Sequence, residues 1–191
     1  MNKIFIDCGA HLGESVELFQ QKWTDWAEYQ IHSFEAEKSL YTNFDKFLSL
    51  PNFTLHKKAV WVEDGMIDFY SDRSREKWGG SINSTKIHTA DNPTSIECIN
   101  LSNWIISNFN KTDLIILKLD IEGSEYDLID HLISTGAISY INVLYVEYHA
   151  HKISIDINPD VYNHQYSAKI KNAANDIILK DNVHTQLKFT K

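Results

Sequence analysis

Short apolar runs alternate along this chain with longer stretches whose apolar positions recur every three or four residues. The runs at Ile4–Ile6, Ile31–Phe34, Thr54–Val60, Leu114–Leu119, Val143–Tyr148, Ile177–Leu179 and Gln186–Phe189 read as strands. The periodic stretches Gly13–Gln21, Lys38–Leu48, Leu101–Asn108, Tyr126–Thr135 and Pro159–Ala174 read as helices. Alternating strand and helix predict an α/β fold, a parallel sheet with helices on both faces. Leu114-Ile-Ile-Leu and Val143-Leu-Tyr-Val are apolar throughout, as central strands covered on both faces should be. Ligands of such sheets lie beyond the carboxyl ends of the strands. Asp7, Glu35, Asp120 and His149 all fall at predicted strand ends and are candidates for one crevice.

The pattern weakens between Met66 and Ile99. Met66–Tyr70 suggests an extra strand, and Asp72–Asn100 is rich in Gly, Ser, Asn and charge. A loop of that length commonly serves as a lid or binding loop, here the variable segment 71–100. Gly79-Gly80-Ser81 within it would let the backbone approach a ligand closely. Trp78 beside them offers a face to stack on a sugar or an adenine.

Composition narrows the setting. The 191 residues are expected to form a single domain spanning 1–191. Lys and Arg number 18 against 26 Asp and Glu, a net charge of −8, and the basic residues are scattered. Nucleic acid is therefore disfavoured as the main partner. Cys8 and Cys98 make neither a disulfide framework nor a zinc spacing. Met1 runs straight into a predicted strand, so no signal peptide is expected, and no apolar stretch approaches the roughly 20 residues of a membrane span. A reduced, cytoplasmic setting is the expectation.

The opening Ile4-Phe-Ile-Asp-Cys-Gly-Ala-His-Leu-Gly13 reads as strand, glycine loop and helix start, a site for part of a nucleotide-like ligand. Its spacing is Asp-x-Gly-x-x-x-Gly rather than Gly-x-Gly-x-x-Gly, and Asp7 would repel a pyrophosphate. That argues against a nicotinamide cofactor. Asp7 suits a ligand with positive charge, and S-adenosylmethionine carries a sulfonium and an ammonium. Glu35, ending the second strand, is placed to hold two ribose hydroxyls. Farther on, Lys118-Leu-Asp-Ile-Glu-Gly-Ser-Glu125 sets Asp120 and Glu122 past the fourth strand, where Gly123 turns the chain into a helix. Glu125, in that helix's first turn, reads as a structural cap. Val146-Glu-Tyr-His149 places Glu147 and His149 on one face by strand alternation. Glu147, read as part of a buried run, needs a partner such as Lys118 or His149.

These motifs resemble those of the FkbM family of S-adenosylmethionine-dependent methyltransferases. The matching pieces are Phe5–Gly13, Phe34-Glu35-Ala36, Lys58-Ala59-Val60, Gly79-Gly80-Ser81, Leu117–Glu125 and Val146–His149, in the family's order. The resemblance implies a Rossmann-like class I methyltransferase fold, whose sheet is seven-stranded and mostly parallel with its last strand antiparallel. It implies methyl transfer chiefly to hydroxyl groups of sugars or natural products. It places Asp7, Gly9, Ala10, His11 and Gly13 in the methionine-side loop and Glu35 with Ala36 at the ribose. Ala59 and Ser81 would flank the adenine. Asp120, Glu122, Glu147 and His149 would face the substrate, with Asp120 also at the cofactor. Two departures stand out. His11 occupies a position where the family usually has Asn. The chain also stops soon after its last predicted strand, so a second subunit of a homo-oligomer is expected to supply part of the substrate wall.

A hydroxyl is a poor nucleophile until it loses its proton, and a positioned base adds typically ~10²–10⁴-fold. His149 is the preferred base, because an imidazole pKa near 6.5 suits neutral pH better than a carboxylate near 4. Asp120 or Glu147 is expected to orient it. Asp120, Glu122, His149 and His151 have the chemistry to gather a divalent cation. No dedicated ligand spacing such as His-Glu-x-x-His is present, so metal dependence, through Asp120, Glu122 and His149, is not the favoured reading. The expected function is O-methylation of a sugar, glycan or small natural product. Its rivals are transfer to a protein amine or nucleic acid, and a catalytically silent scaffold that binds S-adenosylmethionine.

Overall fold

The computed structural model describes residues 1–73 and 79–181. The chain runs β1 (Lys3–Cys8), α1 (Glu14–Lys22), β2 (Tyr29–Phe34), β3 (Phe53–His56), β4 (Ala59–Trp61), β5 (Gly65–Phe69) and β6 (Thr94–Asn100). It continues through α2 (Leu101–Asn108), β7 (Leu114–Leu119), α3 (Glu125–Ser134), β8 (Val143–Val146), α4 (Pro159–Ala173) and β9 (Ile178–Asp181). Among the described residues the main sheet has six strands in the order β3-β2-β1-β7-β8-β9, every pair parallel. Gln186–Phe189, the candidate for an antiparallel seventh strand, lies outside the described residues, as does Trp78.

Alternation along the central strands builds a core on each face of the sheet. Ile4, Ile6 and Cys8 of β1 join Ile115, Leu117 and Leu119 of β7 against Leu101, Ile105, Leu128 and Ile170 of the α2, α3 and α4 helices. Phe5 and Ile116 point the other way, packing with Val16 and Phe19 of α1 and with Phe44 and Phe47. Strand order progresses outward in opposite directions from the β1–β7 pair. That pair is the topological switch point, where a crevice opens beyond the strand ends.

Three expectations need correction. The run Thr54–Val60 is not one strand: β3 closes the main sheet, and the chain turns at Lys57–Lys58, where the lysines stay at the surface. β4 then pairs with β6 in a separate three-stranded sheet, order β4-β6-β5. Lys38–Leu48 forms a 3-10 helix over Lys38–Phe44 followed by turns. Its Ser, Thr and Asn favour local side-chain hydrogen bonds over an α-helix, and Asn43 Nδ2 donates to the Leu40 carbonyl. The third is the long polar loop, which contains β6. That strand is mostly solvated, with only Cys98 and Asn100 buried, so it carries little hydrophobic signal.

Candidate active site

Asp7 and Lys118 are register partners across β1 and β7. Lys118 Nζ therefore lies 3.1 Å from Asp7 Oδ1 and 3.2 Å from Asp120 Oδ2, and it donates to the Gly9 carbonyl at 2.8 Å. Burial alone would lower the Lys118 pKa, but Asp120 and Asp7 outweigh it and hold it above the usual range. Burial pushes the Asp7 carboxyl up against the pull of Lys118. Asp7 is fully buried and does not line the cavity described below, so its charge meets Lys118 instead of facing a ligand. The ammonium of Lys118 ties the glycine loop after β1 to the turn after β7.

That approach is tight. A Cβ on Gly9, at φ +77°, would sit 1.8 Å from the Asp120 carbonyl oxygen, so only glycine lets the two turns meet. Gly9 and Ala10 donate their N–H groups to the Phe34 carbonyl at 3.1 Å. His11 is left-handed at φ +50°, a conformation in which Asn is enriched, and its N–H donates to Glu35 Oε2 at 2.7 Å. Glu37 N–H donates to Glu35 Oε1, also at 2.7 Å. Burial dominates these donors and raises the Glu35 pKa to about 7.

Gly9, His11, Glu35, Ala36, Ala59, Ser81, Asp120 and Glu122 line one cavity of about 280 Å³. Ala10 and Gly13 shape the loop without lining it, Gly13 standing at the N-terminus of α1. Leu40, Val60 and Phe69 add an apolar side. The sequence did not single these three out as cavity residues, because Leu40 comes from the short 3-10 helix and Val60 and Phe69 from the small second sheet.

Glu125 and His149 form the buried heart of the cluster past β7 and β8. Glu125 accepts from Ile121 N–H at 2.9 Å and Gly123 N–H at 3.0 Å, and its Oε1 lies 2.9 Å from His149 Nδ1. Glu125, not Asp120 or Glu147, thus orients the imidazole. Around His149 Nε2 stand Glu147 Oε1 at 3.7 Å and Asp120 Oδ1 and Glu122 Oε1 at 3.8 Å. Burial alone would lower the His149 pKa, but Glu125, Glu122 and Asp120 raise it to about 9. The imidazole by itself therefore keeps its proton at neutral pH, contrary to the value near 6.5 expected of an isolated group. Glu147 is also less buried than expected, since β8 ends at Val146 and its side chain is 30 % exposed.

Glu122 adopts a left-handed backbone, φ +58°, an uncommon conformation of the kind held at functional sites. Its Oε2 pairs with Lys86 at 3.1 Å and Lys152 at 2.8 Å, and its carbonyl accepts from Ser81 Oγ at 2.8 Å. Lys86 also donates to the Gly79 carbonyl, so the segment after Gly79 lies against the Glu122 turn. One ligand-type atom each from Asp120, Glu122 and His149 falls within 4.8 Å of the others. His151 is not in that group; its ring centroid is 6.0 Å from that of His149.

A parallel sheet whose strand order reverses at β1–β7, with a glycine loop and an acid beyond β1 and β2, is a Rossmann-like class I methyltransferase fold. The family model for the methyltransferase FkbM domain matches residues 7–170, and the chain belongs to that family. The crystal structure of methyltransferase FkbM from Methylobacillus flagellatus KT is similar, with a TM-score of 0.51 at 16% identity. The match covers 92% of this chain and 38% of that one, and at this identity it speaks for the fold alone. No curated protein matches the chain significantly. No helix among the described residues is long and apolar enough to cross a membrane.

Proposed function

We propose that this chain is an S-adenosylmethionine-dependent O-methyltransferase acting on a hydroxyl group of a sugar, glycan or small natural product. One observation carries the reading: a single cavity is lined by Glu35 and the glycine loop and also by Asp120 and Glu122, which abut His149.

The residues fit the cofactor. Each Glu35 oxygen already accepts one backbone N–H and keeps lone pairs for a ribose hydroxyl. Ser124 lines the cavity and is 1 % exposed, and its buried Oγ has no hydrogen-bond partner among the described residues, which suits a group awaiting a ligand. When bound, S-adenosylmethionine supplies an electrophilic methyl group. Gly9, Ala10, His11 and Gly13 shape the methionine side, with Asp7 acting through Lys118. Ala36, Ala59 and Ser81, with the apolar Leu40, Val60 and Phe69, enclose the ribose and base.

Asp120, Glu122, Glu147 and His149 receive the acceptor hydroxyl and promote loss of its proton. Holding acceptor and donor in line is worth about 7–11 kcal/mol, so most of the chain's task is alignment. The net negative charge argues against a nucleic-acid acceptor.

The test supplies methyl-labelled S-adenosylmethionine with separate panels of hydroxylated sugars, amine-bearing peptides and nucleic acids. Label on a sugar or alcohol oxygen supports the reading. Label confined to amines or nucleic acid overturns the acceptor class, and cofactor binding without transfer to any panel supports the silent scaffold.

A further inference from the structure

We propose that Asp120, Glu122 and His149 form a binding site for one divalent cation of the Mn²⁺ or Zn²⁺ kind. What the ion does there rests on reading the cavity as a methyl-transfer site, whereas the site itself stands on geometry.

His149, 1 % exposed, is fixed from behind. Its Nδ1 is held by Glu125, and Glu125 is held by the Ile121 and Gly123 N–H groups. A carboxylate on one ring nitrogen, with the other aimed at a ligand set, is the supporting arrangement of metal-bound histidines. The second nitrogen, Nε2, makes no hydrogen bond among the described residues, and the carboxylate oxygens around it stand 3.7–3.8 Å away. Such separations instead suit atoms sharing one small ion. Two ligands about 2.1 Å from an ion and roughly 100–130° apart lie about 3.2–3.8 Å from each other.

The acids are divided in the same sense. Asp120 gives Oδ2 to Lys118 and turns Oδ1 toward His149. Glu122 gives Oε2 to Lys86 and Lys152 and turns Oε1 toward His149. Lysines thus neutralise one oxygen of each carboxylate and leave the other for a cation. With His149 neutral, as a metal ligand must be, Asp7, Asp120, Glu122, Glu125 and Glu147 outnumber Lys86, Lys118 and Lys152 by two formal charges, an excess that a dication balances.

One imidazole with two carboxylates suits Mn²⁺, Fe²⁺ or Zn²⁺ better than Ca²⁺, which prefers oxygen alone, or Cu⁺, which prefers sulfur. Asp120 and Glu122 line the cavity, so positions left open on the ion would face an acceptor. A hydroxyl bound there becomes more acidic, as metal-bound water does. Its O–H bond breaks, the oxygen keeps the electron pair, and the proton passes to the Glu147 carboxylate and on to solvent. His149 then acts as a ligand and not as the base.

The test titrates Mn²⁺ and Zn²⁺ by calorimetry into the full chain after chelator treatment, with and without S-adenosylmethionine. The expected result is one ion per chain, bound at least tenfold more weakly by Asp120→Asn and by Glu122→Gln. Mn²⁺ should also broaden the His149 ring resonances of the unsubstituted protein, a readout that needs no variant to fold. No saturable uptake by protein that still binds S-adenosylmethionine overturns the ion site and leaves the methyl-transfer reading standing. Uptake unchanged in both variants, with His149 unbroadened, places the ion elsewhere and overturns the proposal. Ion uptake at this site without cofactor binding supports the ion and counts against the methyl-transfer reading.

Discussion

Glu125 Oε1 lies 2.9 Å from His149 Nδ1, and neither side chain is more than 2 % exposed. The pair joins the first turn of α3 to the segment after β8, so the direction of the imidazole is set by a group that never reaches the cavity. Everything the site does with Nε2 depends on this contact.

Glu125→Ala should cost about 3–5 kcal/mol of stability, because it strands a buried imidazole and two backbone N–H groups. Glu125→Gln keeps an acceptor oxygen and should cost less. Urea unfolding of both variants checks this. If the alanine variant matches the parent, the pairing does not carry the weight assigned to it.

Lys118→Met removes the counter-charge from Asp7 and Asp120 at once. The expected loss is again about 3–5 kcal/mol. Adding Asp7→Asn should recover part of it, since one uncompensated buried charge is gone. A double variant no more stable than Lys118→Met contradicts the clamp.

Cofactor affinity should depend on the ionisation of Glu35. Only the carboxylate accepts from both ribose hydroxyls, and its pKa is raised to about 7. Affinity for S-adenosylmethionine should therefore rise as pH rises through that value and then level off. Glu35→Gln should flatten the profile and weaken binding by about 1.5–3 kcal/mol. The unliganded protein behaves oppositely. A raised carboxylate pKa means that the folded state binds more protons, so this group's contribution to stability falls as pH climbs from the ordinary value toward 7. Affinity indifferent to pH would remove Glu35 from the ribose.

His32 Nδ1 and His56 Nε2 meet at 3.1 Å beside Trp104, and burial pushes both pKa values down to about 4. An unfolded histidine titrates near 6.5, so between those values the unfolded chain binds more protons. Stability should decline as pH falls through that window. His56→Phe, which keeps a ring to stack on Phe34, should reduce the slope when urea midpoints are compared at neutral and mildly acid pH. An unchanged slope would assign the acid sensitivity to other groups.

What the sequence made legible was local. Ile4–Ile6 and Leu114–Leu117 carry continuous apolar runs because both faces of their strands are covered, and the turns beyond those strands, with Gly9 in one and Asp120 and Glu122 in the other, meet at one crevice by topology alone. The break at Lys57–Lys58 was hidden because β3 and β4 each need a partner far away in sequence, β2 for one and β6 for the other. Asp7 read as a ligand for positive charge because its neighbour in space, Lys118, is a cross-strand partner. Glu125 resembled a helix cap, and it does satisfy local N–H groups, but its pairing with His149 is tertiary. The raised pKa of His149 has the same origin, since Asp120, Glu122 and Glu125, distant from it in sequence, surround the ring.

On the proposed reading, the cavity beside Glu35 holds S-adenosylmethionine. This is tested most directly by calorimetric titration of the purified protein with S-adenosylmethionine and its demethylated product, with NADH as control. The expected result is micromolar binding of the first two, none of NADH, and clear weakening in Glu35→Gln. Folded protein that binds neither, or binds NADH instead, would contradict it.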